Sequence, residues 1–480
     1  MIVTIKIRKA PYSARFRVLS SVSTADEAWK KIKSRYSFIE RDKTTDQEKG
    51  PPTMSSQQSP LSIGIRLSIM MFLEFFVWGA WYVTVGNYMG ANGMGDAIYW
   101  AYTVGPIAAI VSPFVLGMVA DRFFSSERVL AVLMIIGGAV LYMAPSVVGE
   151  NGEGSKTFIL LLLLHMLCYM PTLGLTNTIA FSHLKNQEVW FPLVRVFGTL
   201  GWIVANIIVS KVMGADMTSK PLLVAGGAGV LMGLYSLTLP HTPPPSKGKA
   251  ISVRDILGLD SLALLKDRSF LVFMASSLLI CIPLAAYYAY APVFVADAGI
   301  TNPAFKMSFG QMSEVLFMVL MPIFFKFLGV KRMLLFGMFA WVVRYALFAA
   351  GASDGVAWMI ICGILLHGIC YDFFFVTGQI YVDQKAGPAI RAQAQGFLVL
   401  ATQGVGMLVG ALISGNLINA IVIGEGAAKL QTWKEFWIIP TAAAFVIMVI
   451  FMILFKDDPK GSGKVSEEDV EKAAGTEEMM

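Results

Sequence analysis

Twelve stretches of roughly 20 or more predominantly apolar residues recur along the chain, each long enough to cross the hydrocarbon core of a bilayer as a helix. Their approximate limits are 61–89, 99–120, 129–148, 157–182, 191–213, 221–239, 270–295, 307–328, 333–350, 356–381, 389–421 and 433–455. A backbone surrounded by lipid must satisfy its own polar groups, so such a series folds as helices. With 56% of its 480 residues hydrophobic and only 15% charged, the chain has too little polar surface for a soluble domain. The predicted fold class is an all-α membrane protein of twelve transmembrane helices.

A polar linker at 241–268 holds Pro243, Pro244 and Pro245, followed by Lys247, Lys249 and Arg254. It separates two sets of six spans, 61–240 and 269–456, the division expected of a transporter built from two repeats. Loops on the side of the N-terminus carry the larger share of basic residues, among them Arg122, Arg128, Lys185, Lys331 and Arg332. Loops on the other side hold fewer, such as Lys156, Lys220 and Lys306. This bias predicts that both termini are cytoplasmic. Residues 1–50 contain 12 basic and 6 acidic side chains, the whole of the net charge of +6. The polar stretch 1–60 lacks the apolar core of a secretory signal. It is expected either as a disordered arm drawn to anionic lipid or as extra sequence ahead of a start at Met54. The polar tail 457–480 reads as a solvated end.

Several functional classes drop out. The chain offers no nucleotide-binding glycine loop, no Ser/His/Asp set in a suitable context and no metal-ligand spacing. Cys168, Cys281, Cys362 and Cys370 all lie in apolar segments and read as small packing residues. The expectation is a non-enzymatic transporter without cofactor or metal. Its partners would be a small-molecule substrate, protons and the lipid bilayer, with no nucleic acid, and it would work as a monomer.

Polar side chains inside the spans carry the functional signal. Asp372 stands within the tenth span, where an acid costs roughly 2.5–3.5 kcal/mol on insertion scales. His367 and Tyr371, four residues apart, share a helix face beside it. Arg195, Thr199 and Trp202 follow i, i+4, i+7 in span five. A guanidinium, a hydroxyl and an indole on one stripe suit a polar, ring-bearing solute, the alternative being an arginine that snorkels to the surface. In span eight Gln311 and Glu314 can both donate to and accept from a hydroxylated solute, and a carboxylate there can carry a proton. The structural alternative is a direct Glu314–Arg344 pair. Pro283, Tyr287, Tyr288 and Tyr290 in span seven suit a gate or a stacking wall, or an interface anchor. Glu74, Trp78 and Trp81 form a stripe in span one that is either a packing face or a pore lining. Asn177 and His165 in span four are expected to hold helices together.

Two loops read as copies of one pattern: Gly117-Met-Val-Ala-Asp121-Arg122 and Gly329-Val-Lys331-Arg332. They resemble the cytoplasmic signature of the major facilitator superfamily, in which Gly117, Asp121 and Arg122 would act as a conformational switch. Five further motifs stand in order: Met170-Pro-Thr-Leu-Gly-Leu-Thr-Asn177, Phe191-Pro-Leu-Val-Arg195-Val-Phe-Gly-Thr199, Gln311-Met-Ser-Glu314, Tyr371-Asp372-Phe-Phe and Pro388-Ala-Ile-Arg391-Ala-Gln-Ala-Gln395-Gly396. Together they resemble the nucleoside:proton symporters of that superfamily, from about Leu61 to Phe455.

The resemblance implies two six-helix bundles with the substrate held between them at mid-membrane, in a bacterial inner-membrane protein. It marks Arg195, Thr199, Trp202, Gln311, Glu314 and Tyr371 as ligand contacts, and Asp372 and Glu314 as proton carriers. Three positions depart from the pattern of the well-known bacterial permeases. Leu284 and Tyr287 stand where amides are expected, and His367 where a tyrosine is expected. Tyr287 and His367 are therefore candidate substrate contacts of altered chemistry. The expected function is proton-coupled nucleoside import by alternating access. A transporter of a sugar or another hydroxylated metabolite on the same fold is the alternative, and a membrane sensor that only binds ligand is a more distant one.

Overall fold

The structure, a computed structural model, describes residues 60–115, 123–185, 187–244, 259–387 and 390–456. Among them, nine helices are long and apolar enough to cross a membrane. One of these, Pro303–Ala352, runs for 50 residues and turns at Gly329, whose φ of 66° favours glycine, so it crosses twice. Ile98–Val115 and Lys220–Ser236, of 18 and 17 residues, complete twelve spans. We number them α1 (Pro60–Tyr82, extended by Val85–Ala91), α2 (Ile98–Val115), α3 (Ser126–Met143), α4 (Ser155–His183), α5 (Gln187–Asn206, extended to Val212) and α6 (Lys220–Ser236). The second half comprises α7 (Arg268–Asp297), α8 (303–328), α9 (330–352), α10 (Ala357–Lys385), α11 (391–421) and α12 (Gly426–Leu454). Gly117, Asp121 and Arg122, the tails and most of the linker lie outside the described residues.

Each half packs chiefly on itself. In the first, α1 lies on α5 and α6, and α3 on α4 and α6; in the second, α7 lies on α11 and α12, and α8–α9 on α10 and α12. Small residues set the closest approaches, as expected where lipid offers no hydrophobic drive between helices. A Cβ on Gly226 would sit 2.6 Å from the Tyr142 nitrogen and 2.7 Å from the Gly138 oxygen, so α3 and α6 meet backbone to backbone. Polar glue supplements this packing. Glu74 is fully buried and accepts from the Thr172 hydroxyl at 2.6 Å, which turns it toward α4 as a packing group. His165 Nδ1 lies 2.9 Å from the Gly137 carbonyl, joining α4 to α3.

The halves meet through α2 on α11, α5 on α8, and the end of α1 with α2 on α7. At the face away from the linker three polar contacts cross between them. Asn87 Nδ2 donates to the Pro292 carbonyl at 3.3 Å, and Asn419 Nδ2 to the Asp96 carbonyl at 3.0 Å. Asp216, in the α5–α6 turn, accepts from the Ala304 N–H at the start of α8 at 2.9 Å and from the Ser210 hydroxyl at 2.8 Å. Burial lifts the Asp216 carboxyl above the usual range, outweighing those two donors. At the linker face, Asp267 caps α7 by accepting from the Ser269 and Phe270 N–H groups, and it pairs with Lys385 at 2.8 Å. Burial pushes its pKa up, but the Lys385 ammonium and the two N–H groups together hold it below the ordinary value.

Candidate functional site

Between the halves lies a cavity that broadens toward the linker face. Its inner end holds about 730 Å³ of empty space, open mouth included. A wider chamber of about 1640 Å³ continues from it along the linker-side halves of α2, α4, α10 and α11. The contacts at Asn87, Asp216 and Asn419 close the face away from the linker, while among the described residues the chamber widens toward the linker face.

The first half contributes Arg195, Thr199 and Trp202, which reach the inner cavity along one face of α5. The Arg195 guanidinium lies 4.0 Å over the Phe75 ring of α1, a cation–π contact that holds it in the wall. Gly198 makes this possible, because a Cβ there would stand 2.6 Å from Arg195 Nη1 and 2.7 Å from Phe75. Trp78 packs edge-on against Trp202, with ring centroids 5.6 Å apart, and its partner in α1, Tyr82, extends the aromatic wall. The indole N–H groups of Trp78 and Trp202 have no hydrogen-bond partner among the described residues.

The second half contributes Gln311 and Glu314 from α8, His367 and Tyr371 from α10, Tyr288 from α7, and Gln403 and Met407 from α11. The Gln311 amide oxygen is buried without a partner among the described residues. His367 Nε2 lies 3.9 Å from the Glu314 carboxylate, while its Nδ1 meets Arg344 Nη2 of α9 at 3.1 Å. The direct Glu314–Arg344 pair is therefore not formed, because the imidazole stands between the two. A donor fork on one side and a carboxylate, amide and phenol on the other let this site hold a flat ring against indole and phenol faces while it hydrogen-bonds polar edges.

Two expected site residues, the candidate contact Tyr287 and the candidate proton carrier Asp372, are absent from the cavity lining. Tyr287 is fully buried, stacked on His367 at 5.5 Å and lying under the Arg344 guanidinium at 4.1 Å. Its neighbour Tyr288 faces the cavity instead. Asp372 is completely buried at the start of a wide π-type turn, Asp372–Val376, and neither carboxylate oxygen has a hydrogen-bond partner among the described residues. Asn177 lies on the wall of the wide chamber, where a helix-packing role was expected. Phe75, Tyr82, Gln403 and Met407 were not anticipated. Phe75 is one residue from Glu74 and carries no polar signal, and Gln403 lies in a second π-type turn, Leu400–Gly406, that shifts the helical phase.

Comparison with known proteins agrees with this arrangement. Residues 61–460 match the family model described as Nucleoside H+ symporter. YegT of Escherichia coli (strain K12) is 39% identical over 418 residues, covering 84% of this chain and 97% of that protein. The nucleoside permease NupG and the xanthosine permease of the same organism are each 31% identical over 413 residues, covering 82% of this chain and 96% of theirs. The crystal structure of the nucleoside transporter NupG superposes with a TM-score of 0.73 at 30% identity, covering 82% of this chain and all of that one. Twelve spans in two six-helix bundles, a cavity between them and a family match over nearly the whole helical body make this chain a multi-pass membrane protein of the nucleoside H+ symporter family.

Proposed function

We propose that this chain imports nucleosides together with protons by alternating access, in a bacterial inner membrane with both termini in the cytoplasm. The observation that carries this reading is the cavity itself. Arg195, Thr199 and Trp202 of one half face Gln311, Glu314, His367 and Tyr371 of the other across it. A flat base suits the aromatic wall, and ribose hydroxyls suit the mixed donors and acceptors. Under the charge bias of the loops, the open chamber faces the cytoplasm and the Asp216 contact lies outside.

Asp372 and Glu314 are the proton carriers of this reading. Asp372 is completely buried and Glu314 stands in the cavity wall with 15% of its side chain exposed; within the membrane a charge is costly and a bound proton removes that cost. Protonation and substrate binding together would lower the cost of closing the cavity, after which the halves, 61–240 and 269–456, rock about the site. The switch assigned to Gly117, Asp121 and Arg122 would act at the linker face, and the working unit is the monomer.

The test is uptake of labelled uridine and adenosine into proteoliposomes, with and without an inward proton gradient. Accumulation that collapses on adding a protonophore is the expected result. Absence of uptake for both compounds by folded protein would remove the nucleoside assignment while leaving the fold. A competition panel of sugars would then decide whether Leu284 and Tyr287, which bring no amide to the site, mark another hydroxylated substrate.

A further inference from the structure

Among the described residues Arg344 has no acidic partner, although it is the largest of their fully buried charged side chains. Its side chain is 0% exposed, and Nε and Nη1 lack hydrogen-bond partners among the described residues. Its one side-chain hydrogen bond among the described residues runs from Nη2 to His367 Nδ1 at 3.1 Å, and its guanidinium plane rests 4.1 Å over the Tyr287 ring. A guanidinium can only donate, so Nδ1 of His367 must be the accepting, unprotonated nitrogen. The ring proton then sits on Nε2.

Three elements hold the imidazole in that pose. Tyr287 of α7 stacks on it with an interplanar angle of 18°. Gly310 of α8 meets it so closely that a Cβ there would lie 3.0 Å from the His367 Cβ. The Gly368 N–H, next along α10, donates to Ser313 Oγ at 2.9 Å and fixes the backbone against α8. Nε2 thus points into the cavity, 3.9 Å from Glu314 Oε2, which is beyond hydrogen-bond reach. A single oxygen placed between them can accept from Nε2–H and donate its own proton to the carboxylate. A hydroxyl does both, as does a water that the hydroxyl of a bound sugar would displace.

We infer that Arg344 is a positioning residue that fixes His367 as its Nε2–H tautomer, so that His367 and Glu314 clamp one hydroxyl of the substrate's sugar. This deepens the nucleoside reading and rests on it for the identity of the sugar. A histidine in this role needs an external donor to set its tautomer, whereas an amide or a phenol carries its donor outright. That difference makes Arg344 separable from general packing.

Two measurements test the inference on the full chain in lipid. The first is nitrogen NMR of histidine-labelled protein, with His367 assigned by its loss in His367→Gln. A pyridine-type Nδ1 and a protonated Nε2 are expected in the parent protein, and a mixture of tautomers in Arg344→Met. A protonated Nδ1 in the parent would overturn the lock. The second is binding of uridine against its 2′-, 3′- and 5′-deoxy analogues. One analogue is expected to bind about tenfold more weakly, the loss of one hydrogen-bonded clamp. In Arg344→Met that gap should shrink below about threefold through weaker uridine binding, whereas His367→Gln with Arg344→Met should restore it. Equal binding of all three analogues, or a full gap in Arg344→Met, would refute the clamp. Failure of the parent protein to bind any nucleoside would remove the substrate reading alone, since the tautomer is read without ligand.

Discussion

Replacing Asp216 with alanine removes the acceptor for the Ala304 N–H at the start of α8. This bond joins the two halves on the closed face. The carboxylate is 6% exposed and the bond is 2.9 Å long. The Ser210 hydroxyl belongs to the same half, so it moves with Asp216 when the face opens and contributes nothing to the difference between states. What remains is one hydrogen bond to an acidic group at a helix N-terminus, worth roughly 1.5 kcal/mol net. That converts to about a tenfold shift of the open-to-closed ratio. Spin labels at Met217→Cys and Thr301→Cys, in a background without the four native cysteines, would report the separation of the two halves by pulsed electron resonance. Asp216→Ala should raise the long-distance population about tenfold, and Asp216→Asn, which keeps an acceptor oxygen, distinctly less. The sign of the pH effect follows from burial. The carboxyl pKa is raised in the closed form and should lie near the ordinary value of about 3.9 once solvated. The closed form therefore binds the proton more tightly. Closure gains as pH falls through the raised value and is lost as pH rises through it. A ratio that moves less than twofold in Asp216→Ala would refute the assignment of this contact as a latch.

Further outcomes follow from the same geometry. Asp372→Asn should keep partial nucleoside binding but abolish uphill uptake in proteoliposomes, and uptake at the parent level would exclude Asp372 from coupling. Gly226→Leu forces a branched side chain into a backbone contact of 2.6 Å, an overpacking that costs roughly 1–3 kcal/mol or more. Its melting temperature in detergent should fall, or the monodisperse species should be lost. Asp267→Ala removes a helix cap and a partner of Lys385, a loss of about 1–2 kcal/mol at neutral pH. Because the folded pKa of Asp267 is depressed, its contribution is present above the unfolded value of about 3.9 and disappears as pH falls through the folded one. The melting difference between parent and variant should therefore narrow in acid.

Much of the body was legible because lipid leaves few options. An apolar run of about 20 residues becomes a helix, and the predicted spans match the observed ones within a few residues in most cases. The i, i+4, i+7 stripe of Arg195, Thr199 and Trp202 was legible for the same reason, since α5 stays regular there and brings all three to the cavity. Legibility failed where helices lose regular phase. Pro283 lies just before Tyr287 and Tyr288, and periodicity could not tell which of the two would face the cavity. The π-type turns at Asp372 and Leu400 shift their helices in a way that no apolar pattern announces. The insertion of His367 between Arg344 and Glu314 depends on side-chain direction across three helices. Sequence reading named all three residues, with His367 as a candidate substrate contact and a direct Glu314–Arg344 pair as the structural alternative, but spacing could not place the imidazole between the other two.

The burial of Arg344 also constrains how the protein is made. A helix delivered to lipid with a bare guanidinium near its centre is penalised by roughly 2.5–3.5 kcal/mol. The groups that receive this one, the Tyr287 ring and the His367 nitrogen, arrive on α7 before it and on α10 after it. During synthesis α9 therefore has the ring to lean on before its nitrogen partner has left the ribosome. Insertion of α9 is thus cheapest when α8 and α9 stay against α7 until α10 emerges. Chains truncated after α9 should accordingly be poor membrane residents and ready targets of quality control, while chains extended through α10 should partition stably.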